Sequence, residues 1–154
     1  MTTPAPTEAL FYHLERQPLE SVLPQLLERT LGRGWRAVVQ AGSEERLEAL
    51  DQHLWVWNED SFLPHGRRQD GFAERQPIYL TVGPENPNGA TVRFLVDGAE
   101  PPDPAGYIRL VLMFDGRDEA AVAAARQHWK VLKSQGCAVT YWQQGAKGGW
   151  EKKA

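Results

Sequence analysis

The chain has 154 residues, a net charge of −3 and the apolar and charged content of an ordinary globular protein. That balance excludes a binder of nucleic acid by bulk electrostatics, so any attraction to an anion must be local. A single cysteine, Cys137, excludes an internal disulfide and a cysteine-based zinc site.

Residues 1–8 read as a frayed lead-in and 9–154 as one domain. Residues 1–6 lack the basic-then-apolar order of a secretory signal, and no apolar run approaches the ~20 residues that cross a bilayer. The expectation is a cytoplasmic chain with no membrane partner. Residues 10–14 are an apolar run of strand length, broken at Gln17-Pro18. Leu19, Val22, Leu23, Leu26, Leu27 and Leu31 then recur at helical spacing as far as Gly32 or Gly34. With Ser21 as the cap, Pro24 would fall in the first turn, where a missing N–H is harmless; with any earlier start it marks a kink. Residues 35–40 are a second strand. Gly42-Ser43 turn the chain and cap a helix whose buried stripe is Leu47, Leu50 and Leu54, with Asp51 on its flank.

Strand, helix, strand, helix favours a parallel sheet with right-handed crossovers. Residues 77–82 and 91–96 give two further strands, separated by the dense turn chemistry of residues 83–89. Residues 107–114 are apolar enough to lie in mid-sheet. A helix from Asp118 to Gly136 follows, then a strand after Gly136 that buries Cys137 as an inert thiol, and a last short strand or tail at 148–152. The expected fold is a single α/β domain, a mostly parallel central sheet flanked by helices. The turn after the first strand, Glu15-Arg16-Gln17-Pro18, offers no glycine to a phosphate, and Gly32-Arg33-Gly34 follows a helix rather than a strand. His13, His53, His65 and His128 are scattered with no i, i+4 pair, and no nucleophile elbow occurs, so no metal, cofactor or catalytic residue is expected.

Two stretches stand out. On the 118–136 helix, Arg126, Trp129, Lys130 and Lys133 share one face, while Ala121, Ala124, His128, Val131 and Leu132 form the side expected to pack on the sheet. Either Trp129 folds over a neighbouring element, or an exposed aromatic ringed by cations captures a carboxylate, an acidic peptide with an apolar end, or a nucleic-acid strand. The second stretch, residues 54–66, carries Trp55, Trp57, Phe62 and Leu63 from a helix end into a loop. That much aromatic area either folds back as a small core or is half of a protein interface.

The ordered set Leu54-Trp55, Ser61-Phe62-Leu63-Pro64-His65-Gly66, Gln76-Pro77-Ile78, Asn86-Pro87-Asn88, Met113-Phe114-Asp115, Ala125-Arg126 with Trp129-Lys130, and Tyr141-Trp142 resembles the chi subunit family of bacterial DNA polymerase III. The resemblance runs from about Leu10 onward. It implies an α/β fold of mononucleotide-binding type without a nucleotide site, and a non-catalytic clamp-loader-associated adaptor that holds the acidic, Phe-ended tail of single-stranded DNA-binding protein, with nucleic acid reached mainly indirectly. By the same resemblance Arg126, Trp129 and Lys130 bind that tail, with Trp where Tyr can stand. Helical spacing adds Lys133. A basic position one turn upstream in some members is Val122 here. The resemblance also implies that Trp55, Phe62 and Pro64 meet the psi subunit, or another clamp-loader or helicase partner. The rival readings are a domain that binds single-stranded nucleic acid through the same basic face and an uncharacterised nucleotide-fold enzyme.

Overall fold

The computed structural model describes residues 6–15, 18–56, 65–67, 70–145 and 149–154. The strands are β1 (Glu8–Leu14), β2 (Ala37–Gln40), β3 (His65–Arg67), β4 (Ile78–Thr81), β5 (Val92–Leu95), β6 (Arg109–Asp115), β7 (Ala138–Gln144) and β8 (Trp150–Lys152), and the helices are α1 (Leu19–Gly32), α2 (Glu44–Val56) and α3 (Glu119–Ser134). They build one eight-stranded sheet in the order β3-β4-β2-β5-β6-β1-β7-β8. Every pairing is parallel except β7 with β8. β6 lies between β5 and β1, as its apolar run requires of a strand buried on both faces.

Alternation along the strands divides the core in two. Val39, Ile78, Leu80, Phe94, Val111 and Met113 point to the face that carries α1 and α2, with Leu23, Leu27, Leu47 and Leu50 packed on them. Ala9, Phe11, Leu110 and Leu112 point to the other face, beneath Ala125 and Leu132 of α3. α3 begins where Asp118 accepts the backbone N–H groups of Ala120 and Ala121. Cys137, just ahead of β7, is buried, and burial pushes its thiol above the ordinary range.

α1 begins differently from its expected start. Its cap is Pro18, whose carbonyl accepts from Ser21 and Val22, so Pro24 lies inside the helix rather than in its first turn. Pro24 cannot donate to the carbonyl of Glu20 four residues back. His53 of α2 supplies the missing donor: its Nε2 stands 2.6 Å from that carbonyl oxygen. The second difference is β3, which the sequence reading left in a loop. It is three residues long and, among the described residues, pairs only with β4, too short for a period-2 pattern to register.

No α-helix covers the α3-side face of β4, β2 and β5 among the described residues, although the 3-10 turn Ala73–Arg75 touches it through Ala73. The loop after β4 closes it instead. Asn86 accepts from and donates to Ala90, and Asn88, almost fully buried, donates to the carbonyls of Ala37 and Gln76. Arg93, at 0 % exposure, clasps the loop from below. It donates to Gln40 Oε1 at 2.9 and 2.7 Å, to the carbonyls of Glu85 at 3.0 Å and Gly83 at 2.5 Å, and to the Tyr107 hydroxyl at 3.1 Å. A buried guanidinium is tolerable because its donors are satisfied. The Asn86-Pro87-Asn88 motif is thus part of a lid over the sheet.

Candidate functional site

α3 reaches the sheet with a different roll from the expected one. Val131 is 52 % exposed and Ala124 is also exposed, while Trp129 is half-buried against the sheet. The residues under the helix decide this. β1 and β7 present Phe11 and Tyr141 side by side in register, and the Trp129 ring settles on both, with centroids at 5.3 and 6.3 Å. An indole buries far more apolar area than the isopropyl group of Val131, so the helix turns toward it. Trp129 is therefore not a free aromatic on the solvent face. One side of the ring is core.

Its other side opens on a hollow of about 350 Å³ bounded by Ala125, Arg126, Trp129, Lys130, Tyr141 and Ala154. Apolar atoms make nearly all of the wall, so Arg126 and Lys130 contribute their stems and leave their charged ends outside. Lys133 is exposed one turn further on and does not line the hollow. From Arg126 to Lys133 the helix rises ~10.5 Å, enough to face about three residues of an extended peptide.

The Tyr141 wall, which the sequence reading did not assign to the site, is braced. Its hydroxyl lies 2.5 Å from His13 Nδ1, and His13 Nε2 lies 3.0 Å from the Glu15 carboxylate. The His13 ring also packs edge-on against Phe114, and a Cβ at Gly116 would collide with it. Burial raises the pKa of Tyr141 against the pull of Arg126, so the phenol stays neutral and the wall uncharged. The alternation of β7, which puts Tyr141 on the same face as Val139 below α3, was the signal available in the sequence.

The strand ends where α/β sheets hold nucleotides are differently furnished. The crevice between β1 and β6 is about 190 Å³, lined by Glu15, Glu20, Asp97 and Asp115 with Arg46 and Arg117. Arg46 holds Glu20 at 2.7 Å and Asp97 at 3.1 Å. The Asp118 carboxylate occupies the N-terminus of α3. A phosphate would meet acids there.

At the far end of the sheet, Trp55 in the last turn of α2 is 52 % exposed. Its ring lies 4.3 Å from that of His65, which is itself buried beside Asp51 at 3.1 Å. Asp51 is also buried, so it belongs inside rather than on the flank of the α2 stripe. Phe62 and Pro64 lie outside the described residues. β3 and β7 are six neighbours apart in the sheet, roughly 29 Å at ~4.8 Å per strand. The Trp55 surface and the Trp129 hollow are thus separate places.

The family model described as DNA polymerase III chi subunit, HolC, matches residues 7–140. The chain belongs to that family. Against one relative, a probable DNA polymerase III subunit chi of Rickettsia prowazekii (strain Madrid E), this chi-family chain is 28 % identical over 85 residues, which is 55 % of the chain and 52 % of the relative. The chain thus spans about half the length of the curated relative it matches. The α3 side of the hollow, Ala125 to Lys130, and the Trp55 turn lie within the family match, whereas the Tyr141 wall falls just past its end. β8 and Ala154 lie beyond it. Among the described residues no helix is long and apolar enough to cross a membrane.

Proposed function

We propose that this chi-family chain is a non-catalytic accessory subunit of DNA polymerase III. In this reading the hollow between α3 and β7 holds the acidic, Phe-ended C-terminal tail of single-stranded DNA-binding protein and links it to the clamp loader. The observation that carries the reading is the 350 Å³ apolar hollow beside Trp129 with cations at its edge. A benzyl group needs an apolar slot between flat walls, which Trp129 and Tyr141 supply. The terminal carboxylate needs a planar two-donor partner, which Arg126 supplies. Upstream acids of the tail need positive potential along their path, which Lys130 and Lys133 supply.

Trp55, with Val56 exposed beside it, is the surface for a second partner within the polymerase assembly, the psi subunit or a helicase. Two sites set roughly 29 Å apart allow both partners to be held at once, as an adaptor requires. Titration calorimetry with an acidic peptide ending in Phe tests the first site. Binding that falls when the terminal Phe is replaced by Ala, and again with Arg126→Ala, supports it. Equal heats from all three combinations rule it out.

A further inference from the structure

The opposite face of β1, β7 and β8 carries a second aromatic and cationic surface that the tail site does not use. α1 packs over β2 and β6 and borders β1 through Leu26 and Arg29, so among the described residues the β7 and β8 part of this face is the part that no helix packs closely on. Register places Tyr12, Trp142 and Lys152 in one row across three strands, with Trp150 beside them, its ring 4.8 Å from that of Tyr12. Trp142 and Trp150 are both half-buried, each keeping part of its ring open. Three arginines border the row. Arg33 and Arg109 lie 5.2 and 5.3 Å from the centroid of Trp35, which fixes their direction. Arg29 projects from α1 into the same groove of about 210 Å³. Arg29 and Arg109 line that groove together with the Tyr12 ring; burial raises the pKa of Tyr12, and the two cations pull it back. Among the described residues only Arg109 has a carboxylate partner, Glu8 at 2.9 Å. Arg29 and Arg33 have none.

We propose that this face of β1, β7 and β8 binds single-stranded nucleic acid, bases stacking on Trp142 and Trp150 and phosphates lying along Arg29, Arg33 and Arg109. Flat aromatic faces on an open sheet beside guanidinium groups, those of Arg29 and Arg33 without a carboxylate partner among the described residues, meet the two requirements of such a strand. A duplex hides its base faces, and a short acidic peptide has no flat rings to match the tryptophans. From the Arg109 row to the Tyr12 row the strands run roughly 13 Å, a few nucleotides at ~3.4 Å each. The net charge of −3 is no obstacle, because the cations are gathered on one edge. The surface lies across the sheet from the Trp129 hollow, so a strand and a protein tail occupy opposite sides of β7.

The experiment is fluorescence anisotropy of the full chain with a labelled oligothymidylate of about 12 nucleotides, within the ~4–16 typical of such grooves. Binding is expected at low salt, with log K falling against log salt at a slope of about −2 for three phosphate contacts. The double variant Arg29→Ser, Arg33→Ser changes only exposed side chains. It is expected to weaken binding tenfold or more and to flatten that slope. Trp142→Leu is expected to cost about fivefold or more through lost stacking. Arg126→Ala is expected to bind the oligonucleotide as the parent does. The proposal is overturned if the parent shows no binding, if the double arginine variant binds normally, or if a duplex of equal length binds as well. It also fails if Arg126→Ala abolishes binding or the Phe-ended peptide displaces the oligonucleotide. Both of those outcomes would put the strand on α3, and neither touches the peptide titration that tests the tail site.

Discussion

The two halves of the sheet are finished in different ways. β3, β4, β2 and β5 are sealed on both sides, by α1 and α2 on one face and by the Arg93-clasped loop on the other. β6, β1, β7 and β8 are only partly covered, by α3 alone on one face and on the other by α1 as far as β1, with no helix packed closely on β7 and β8, among the described residues. Both halves use the same residue types, a cation beside an aromatic ring. Arg93 sits 5.9 Å from the Tyr107 ring with its donors satisfied internally. Arg126 sits beside Trp129 with its charge outside. The difference lies in what the cation can still bond to. Satisfied donors make structure, whereas donors left in water remain available to a partner.

Breaking the sealed half should have the largest effect. Arg93→Ala leaves Gln40, the carbonyls of Gly83 and Glu85 and the Tyr107 hydroxyl without their donor, and it opens a cavity. The expected loss is about 3 kcal/mol, or roughly 6–12 °C in Tm. Calorimetric melting checks it, and a shift of a degree or less would mean that the loop holds without the clasp. Trp129→Ala comes next because the ring is both core and wall. It should lower stability by ~2 kcal/mol, less than the ~3–5 of a fully buried aromatic, and abolish peptide binding. Trp129→Tyr should restore both in large part, since a phenol ring still reaches Phe11 and Tyr141. Arg126→Ala should weaken the Phe-ended peptide tenfold or more while the melting curve stays in place. If Arg126→Ala lowers Tm as Arg93→Ala does, the contrast between the halves is wrong. Trp55→Ala should weaken capture of the polymerase-side partner about tenfold or more in a pull-down, with peptide binding unchanged.

Much of this arrangement was legible in the residues, and the unread parts have a common cause. β1, β6 and α3 were plain because strand length, apolar run and the glycine stop at Gly136 are local signals. The roll of α3 was not, because alanines at 120, 121 and 123–125 give the helix several equally small faces. What chooses among them is the Phe11 and Tyr141 pair, brought from 118 residues upstream and from the following strand. Tyr141 was missed as a wall for the same reason. Arg93 was read simply as part of a strand, and nothing in an alternating pattern announces a charged residue whose partners are loop carbonyls. The Pro24 defect was visible in the sequence, but its repair by His53 required knowing that α2 lies alongside α1.

The smallest expected effect concerns the ion pairs that tie the sealed half together at the strand ends. Burial alone would raise the Glu20 carboxyl, but hydrogen bonds from Arg46 and from its own backbone hold it below the ordinary 4.5. The folded chain therefore binds fewer protons than the unfolded chain over that window, and stability rises with pH there. The contribution is complete above pH 4.5 and is lost as the pH falls through the lower folded value. Glu20 is over a third exposed, so solvent keeps the effect modest. Urea melts taken from about pH 7 to about pH 3 should show an acid-side decline that Glu20→Gln partly flattens. Peptide binding at pH 7 should be the same in both proteins, because Arg46 and Glu20 brace α1 and α2 and do not touch α3. An equal acid slope in parent and variant would remove Glu20 from the brace. A loss of peptide binding in the variant would show that the two halves are coupled through the strand ends.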